Sequence, residues 1–405
     1  MIKDKKILVI GAGNAGRPAA NLLNYLGNQV RVSDFKDYNS LPRKARNKIK
    51  ELEKKGINFE LGTHIFDSVL WADAIFVSPN IPADSDIRKF IENSRSKKDI
   101  KEITTSDIGE ILNNLIKLPM VGIAGTDGKT TTTNMINHVL KSESFRTLVF
   151  SSLQDSLVIE GLVDMVVNEE TQSKDFAIFE LPHGTIRMAQ GLEICAGVLT
   201  NLTPDHMDEF KNYEDYIGRN FSIKDLVHPA GILIANGDDP IINQRLNQID
   251  TEYILYGLGT SQTIEFNGQT YPPAEVDLDI VAENIKLNGM DGTSFDVVST
   301  GLPTAICKNC GEIICKCGNF QRKMVESFKI NITLNVPGFF NIENALSSMA
   351  TALVLGFEMD YIKAKLESFN GVKGRFEKID HVDGVNIFMD AAHNPESMEK
   401  LFEGL

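Results

Sequence analysis

The hydrophobic pattern along the chain alternates between short, continuously apolar runs and stretches with helical spacing. Residues 6–10 read as a strand buried on both faces, the glycine-rich 11–16 as a tight turn, and 17–26 as a one-sided helix. A second strand at 29–32 leads into Ser33 and Asp34, and 43–55 is a lysine-rich, solvated helix. A further strand at 74–77 is broken by Ser78-Pro-Asn-Ile-Pro82. This is a small doubly wound unit. A new domain starts near Leu118, with a strand at 120–124, a glycine loop and a helix at 130–140. Buried-type strands follow at 176–179, 197–199 and 232–235, each leading into polar residues. The alternation predicts an α/β fold with a parallel sheet and a ligand site at the carboxyl ends of its strands.

Residues 278–336 differ: they carry β-type stretches and a cysteine cluster, and read as an antiparallel insertion before a helix at 342–355. A third unit begins near Gly371 with one strand and the start of a helix, too little for an independent domain. The expected division is 1–117, 118–370 and an incomplete 371–405.

Composition narrows the function. A net charge of −14 and a pI near 5.1 leave no basic stripe for a nucleic acid. The charged start of the chain lacks the form of a signal peptide, and no apolar run reaches the roughly 20 residues of a membrane span. A cytoplasmic protein acting on small molecules is expected, with neither nucleic acid nor membrane as partner. Four of the five cysteines lie within 307–317, a crowding that suits metal binding in a reducing compartment.

The strongest chemical signal is 122–131, Gly-Ile-Ala-Gly125-Thr126-Asp127-Gly128-Lys129-Thr130-Thr131, between a strand and a helix. Glycines let the backbone wrap a phosphate, Lys129 can reach the β- and γ-phosphates, and a threonine hydroxyl can ligate Mg²⁺. The outer glycine sits one residue further back than in the usual GxxxxGK[ST] spacing. Gly11-Ala-Gly13-Asn14-Ala-Gly16, with Asp34 about twenty residues on, fits a dinucleotide fingerprint. Alone that is weak evidence, since tight βα turns use glycines without any dinucleotide, and another nucleotide such as a UDP-sugar is favoured here over either NAD or no ligand. Glu180 directly follows a strand, where a carboxylate can hold Mg²⁺. His206 follows the next strand as a second metal ligand or a satisfied loop histidine. Cys307-x-x-Cys310-x4-Cys315-x-Cys317 offers four soft donors for a closed, structural Zn²⁺ site, while Cys195 stands apart in an apolar strand as a core residue.

Together these residues resemble the Mur ligase superfamily over essentially the whole chain. Residues 125–131 are similar to that family's GTNGKTT, and Pro337-Gly-Phe-Phe-Asn341-Ile-Glu-Asn344-Ala-Leu346 to its G-x-[HF]-N-x-x-N-A-L. Gly374-Arg375-Phe-Glu377 and Asp390-Ala-Ala-His393-Asn394-Pro395 match its hinge and C-terminal signatures. The N-terminal unit most resembles the D-glutamate-adding branch, whose first domain holds a UDP group.

The resemblance implies three α/β domains: a Rossmann-like first domain, a P-loop ATPase domain carrying the zinc ribbon, and a Rossmann-like third. It implies an ATP-dependent ligase that forms an amide through an acyl phosphate on a UDP-linked murein or pseudomurein precursor. Lys129 and Thr130 would bind ATP and Mg²⁺, Glu180 and His206 would hold metal, Asn344 would meet adenine, and Arg375 and Asp390 the nucleotide. Three positions depart from the pattern. Asp127 replaces an asparagine, and Glu180-Leu-Pro-His-Gly184-Thr-Ile-Arg187 resembles cyanophycin synthetase-like and archaeal relatives. The lysine that the family carbamylates aligns with Asn220, which cannot be carbamylated; Lys224, one helical turn on, is the only nearby lysine. Alternatives are a Mur-like ligase outside wall synthesis, such as the ring-closing synthetase of a nickel tetrapyrrole coenzyme, an NAD-dependent oxidoreductase, or a catalytically silent subunit.

Overall fold

The computed structural model describes residues 2–154, 157–266, 268–273, 276–314, 318–382, 385–393 and 395–403. Its chain divides into two compact units. One comprises 1–117 together with 156–173 and 187–193, and the other comprises the remainder.

In the first unit five strands run parallel: β1 (Lys6–Ile10), β2 (Gln29–Asp34), β3 (Asn58–Leu61), β4 (Ala74–Val77) and β5 (Lys101–Ile103). Their order, β3-β2-β1-β4-β5, reverses direction at β1, which opens a crevice at the carboxyl ends of β1 and β4. The fully apolar run Ile7–Ile10 has no exposed face because β1 is central and helices cover both sides. One cover is helix Gly16–Tyr25, and against it packs Val158–Val167, which the chain sends over from the middle of the second unit's sequence. That helix buries Val158, Ile159, Leu162 and Val163, while Asp164 pairs with Lys48 at 2.7 Å.

The second unit is built on nine strands. Seven are parallel, the first six being β6 (Met120–Ala124), β7 (Thr147–Phe150), β8 (Phe176–Glu180), β9 (Ile194–Leu199), β10 (Val227–Asn236) and β11 (Tyr253–Gly257). A short hairpin follows, β12 (Ile264–Phe266) with β13 (Gln269–Tyr271). Residues 278–336, expected as an antiparallel insertion, split in two. β14 (Ile280–Leu287) joins β11 in parallel, and β15 (Thr293–Ser299) extends the sheet antiparallel to it. Between β15 and the outermost strand, the chain detours through a separate ribbon, β16 (Leu302–Cys307) with β17 (Arg322–Val325). β18 (Phe328–Leu334) then closes the edge, in the order β18-β15-β14-β11-β10-β9-β6-β8-β7. The alternating burial of β15 marks an antiparallel strand with one covered face. The ribbon is tied down by Arg322, which donates to the carbonyls of Ala230 at 2.7 Å and Gly231 at 3.0 Å.

The P-loop helix (Lys129–Leu140) and the helix Phe339–Val354 cover this sheet. The latter is buried nearly all round, which its Ala and Ser content permits. Ser347, Ser348 and Thr351 satisfy their hydroxyls on the helix's own carbonyls at 2.7–3.0 Å. The segment from Gly371, expected as one strand and a helix start, instead forms a hairpin and a helix. β19 (Glu377–Val382) pairs antiparallel with β20 (Val385–Met389), and Pro395–Glu403 follows. The missed signal is the Asp-Gly pair lying in the sequence between the two strands. Among the described residues no helix is long and apolar enough to cross a membrane.

Candidate functional site

β6 lies between β8 and β9, so the connections leaving all three carboxyl ends meet in one place. The loop after β6 needs its glycines. Gly125 has φ +128°, and a Cβ there would overlap the Thr200 hydroxyl and lie 2.9 Å from the Asn201 carbonyl oxygen. Gly128 caps the P-loop helix at φ +81°, with Asn344 Oδ1 2.7 Å from where its Cβ would stand. The loop is propped from outside. Thr126 N–H donates to the Asn201 carbonyl, Asp127 N–H to Asn201 Oδ1, and Thr200 Oγ1 to the Asp127 carbonyl, at 2.6–2.9 Å. Thr126 Oγ1 donates to the Thr203 carbonyl at 2.9 Å and lies 2.8 Å from the Tyr216 hydroxyl.

Inside this frame, Thr130 Oγ1 lies 3.1 and 3.2 Å from the two Glu180 oxygens and 2.9 Å from Ser152 Oγ. Ser152 N–H also donates to Glu180, at 3.0 Å. Arg375 Nη2 donates to Thr130 Oγ1 at 3.2 Å, which brings the segment after Gly371 to the loop. Lys129 Nζ donates to the Thr126 carbonyl. Burial pushes the Lys129 pKa down, while Glu180, Asp127 and Asp205 pull it up and the Arg375 guanidinium pushes it down again.

Thr126, Lys129, Thr130, Glu180 and Arg375 line a cavity of about 180 Å³ together with Asp205, His206, Asn344, Asp390 and His393. Asn344 accepts from Thr132 Oγ1 at 3.0 Å and donates to Asn341 at 3.2 Å, so its amide braces Gly128 from behind. Asp390 accepts the Phe376 and Ala392 N–H groups, each at 2.6 Å, and fixes the turn before His393. Thr130 Oγ1, Ser152 Oγ and the Glu180 carboxylate form an all-oxygen donor set, which is the chemistry Mg²⁺ requires.

His206 adopts φ +54°, unusual for a residue with a side chain, and lies between Asp205 and Glu209. Asn220 is elsewhere engaged. It is buried, and its amide donates to the Tyr216 carbonyl at 3.1 Å, while Lys224 pairs with Asp225 at 2.6 Å. Ser152, Asn201 and His183 were not singled out by sequence reasoning. Ser152 follows β7, a strand the pattern did not reveal; Asn201 and His183 lie in stretches flagged only for their neighbours.

In the first unit, Gly11 (φ +99°) faces Ser78, and a Cβ on Gly16 would overlap the Gly11 carbonyl. Asp34 accepts the N–H groups of Ala12 at 2.7 Å and Lys36 at 2.9 Å, and Asn14 accepts from Arg17 at 3.1 Å. Gly13 has open space beside it. Of the cysteine cluster, Cys307 is buried at the end of β16 and Cys310 is exposed on the turn that follows; Cys315, Cys317 and also Asn394 lie outside the described residues. Cys195 is core: buried, with its Sγ 3.1 Å from the Met120 carbonyl and its pKa pushed up to about 12 by burial.

The sequence model of the Mur ligase middle domain matches residues 123–352. The chain belongs to the Mur ligase family. An uncharacterized protein of Methanothermobacter thermautotrophicus is 59% identical over 271 residues, 67% of this chain and 86% of its own length. The UDP-N-acetylmuramoylalanine–D-glutamate ligase of Citrifermentans bemidjiense is 26% identical over 390 residues, covering 96% of this chain and 72% of the relative. Among solved structures, a pseudomurein peptide ligase type C from Methanothermus fervidus superposes with a TM-score of 0.55 at 24% identity, covering 99% of this chain and 77% of the other. The MurF ligase of Thermotoga maritima in complex with ADP gives 0.57 at 14% identity, covering 93% and 71%. Both share the Mur ligase fold with this chain.

Proposed function

We propose that this chain is an ATP-dependent acid–amino-acid ligase. A substrate carboxylate oxygen attacks the γ-phosphorus of ATP, ADP departs, and an amine then displaces phosphate from the acyl phosphate to form an amide. The observation that carries this reading is the meeting of Lys129, Thr130, Glu180 and Arg375 around one cavity in a Mur ligase. The N–H groups of 125–131 and the P-loop helix N-terminus would hold the phosphates, and Lys129 would leave the Thr126 carbonyl to meet them. Thr130 and Glu180 would hold Mg²⁺, with His206 beside a second ion; the ion would offset charge on the transferring phosphoryl group. Arg375 and Asp390 bring the post-371 segment to the same phosphates, and Asn344 keeps Gly128 open to them.

The named relatives support, as the substrate class, a UDP-linked murein or pseudomurein peptide precursor. Its nucleotide would lie in the first unit, at the β1–β4 crevice bounded by Gly11, Gly13, Asn14, Gly16 and Asp34. We place a structural Zn²⁺ on Cys307, Cys310, Cys315 and Cys317, apart from the chemistry. The test is phosphate release from ATP across a panel of UDP-linked peptides and free amino acids. Release that requires both a carboxylate and an amine is expected. Phosphate release that ignores both, with no amide product, would overturn the assignment.

A further inference from the structure

Beside the oxygen cluster at Thr130 and Glu180 stands a second group of donors with a different chemistry. His183 opens the short helical turn after β8, and His206 and Glu209 lie on the connection after β9. Glu209 N–H donates to the His206 carbonyl at 2.9 Å, and this tight turn sets the two side chains on one side. The imidazoles of His183 and His206 have centroids 4.5 Å apart. Glu209 reaches both, with Oε2 3.1 Å from His183 Nε2 and Oε1 3.8 Å from His206 Nδ1. One donor atom from each residue lies within 4.8 Å of the others.

We infer that His183, His206 and Glu209 form a binding site for one divalent first-row transition cation at the edge of the P-loop cavity. Two imidazoles and a carboxylate make a borderline donor set, which favours such an ion over Mg²⁺ with its preference for oxygen. Three protein ligands also leave positions open for water or an anionic oxygen, unlike a closed four-thiolate site. Three further observations support it. The left-handed backbone of His206 costs on the order of 1–2 kcal/mol, a strain that marks sites where a side chain must point in a set direction. Asp205 lies 3.6 Å from His206 Nε2, on the opposite edge of the ring from Glu209, so it orients His206 from behind. His183 is steered by its packing, edge-on to Phe210 with centroids 5.3 Å apart and tilted against Tyr216 at 6.3 Å.

The site does not depend on the ligase reading, because it is tested without nucleotide or substrate. The full chain is titrated with Co²⁺ and followed by visible absorption, with a competing zinc-binding dye to rank affinity. The expected result is one Co²⁺ whose d–d bands lack a sulfur charge-transfer partner, so thiolates are not its ligands. His183→Gln and Glu209→Gln should each weaken it about tenfold or more, with circular dichroism unchanged. Glu180→Gln should leave this nucleotide-free binding as it was. Unaltered affinity in both His183→Gln and Glu209→Gln would overturn the inference. So would loss in Glu180→Gln alone, or Co²⁺ carrying only thiolate bands.

Discussion

Replacing Gly125 with alanine tests how the phosphate loop is built. The added Cβ would overlap the Thr200 hydroxyl and stand 2.9 and 3.0 Å from the Asn201 carbonyl oxygen and amide nitrogen. Two of these three atoms are backbone, so the neighbour cannot simply rotate away. A φ of +128° adds a penalty of about 1–2 kcal/mol for any L side chain. Overpacking against a fixed backbone adds about 1–3 kcal/mol, for roughly 2–5 kcal/mol in all. For a unit of this size each kcal/mol lowers the melting midpoint by about 2–4 °C, so a drop on the order of 10 °C is expected by calorimetry. The loop can relieve the clash only by moving off Asn201, which misaligns its N–H groups; ADP affinity measured by titration calorimetry should fall at least about tenfold with it. Gly184→Ala is the control, since its Cβ meets nothing within 4 Å and its stability should hold. A Gly125→Ala protein that melts and binds ADP like the parent would refute the account of the loop.

Lys129→Ala should abolish ATP-dependent phosphate release while leaving the circular dichroism spectrum intact, because it removes charge needed most in the transition state; retained turnover would count against the ligase. Elemental analysis of protein purified without chelator should find one Zn²⁺ bound through the cysteine cluster, lost with local unfolding on chelation. Cys195, with its pKa pushed up to about 12, stays a thiol at pH 8 and should resist iodoacetamide in the folded protein and react after denaturation. Turnover should not respond to bicarbonate or its removal, since Asn220 has no amine to carbamylate; dependence on bicarbonate that Lys224→Ala abolishes would show that Lys224 substitutes.

Much of this was legible from local pattern. The strands 6–10 and 120–124 and the helix 130–140 follow from apolar spacing and glycine punctuation, and the structure places them at Lys6–Ile10, Met120–Ala124 and Lys129–Leu140. What the pattern cannot carry is which sheet an element joins. Val158–Val167 is a plainly amphipathic helix, yet it belongs to the first unit through contacts with residues far away in sequence, such as Lys48 with Asp164. Residues 278–336 look like an insertion because β14 departs from the buried type of its neighbours, although hydrogen bonding makes it part of the main sheet. The site was legible where a motif encodes it, at Lys129, Thr130 and Glu180. It was not legible at Ser152 or His183, whose places beside Glu180 and His206 arise only when separate strand ends converge.

The two glycine loops show why a motif's glycine count is weak evidence and the source of its support is strong. Both loops leave a strand at the point where a parallel sheet reverses its order. The first is held by its own fingerprint: Asp34 takes the Ala12 N–H, and Arg17 donates to the Ala12 carbonyl and Asn14, so the motif's polar atoms serve its own turn. The second is held by others, chiefly Thr200, Asn201 and Thr203 from the connection after β9. A loop propped by a neighbouring strand need not spend its lysine and its helix-start hydroxyl on folding. Among the described residues Lys129 hydrogen-bonds a carbonyl of its own loop, and Thr130 reaches Glu180, a carboxylate that can share a cation with it. A glycine-rich turn between a strand and a helix is therefore held by its own side chains in one unit and opens on a charged cavity in the other, and the difference lies in residues that no glycine pattern contains.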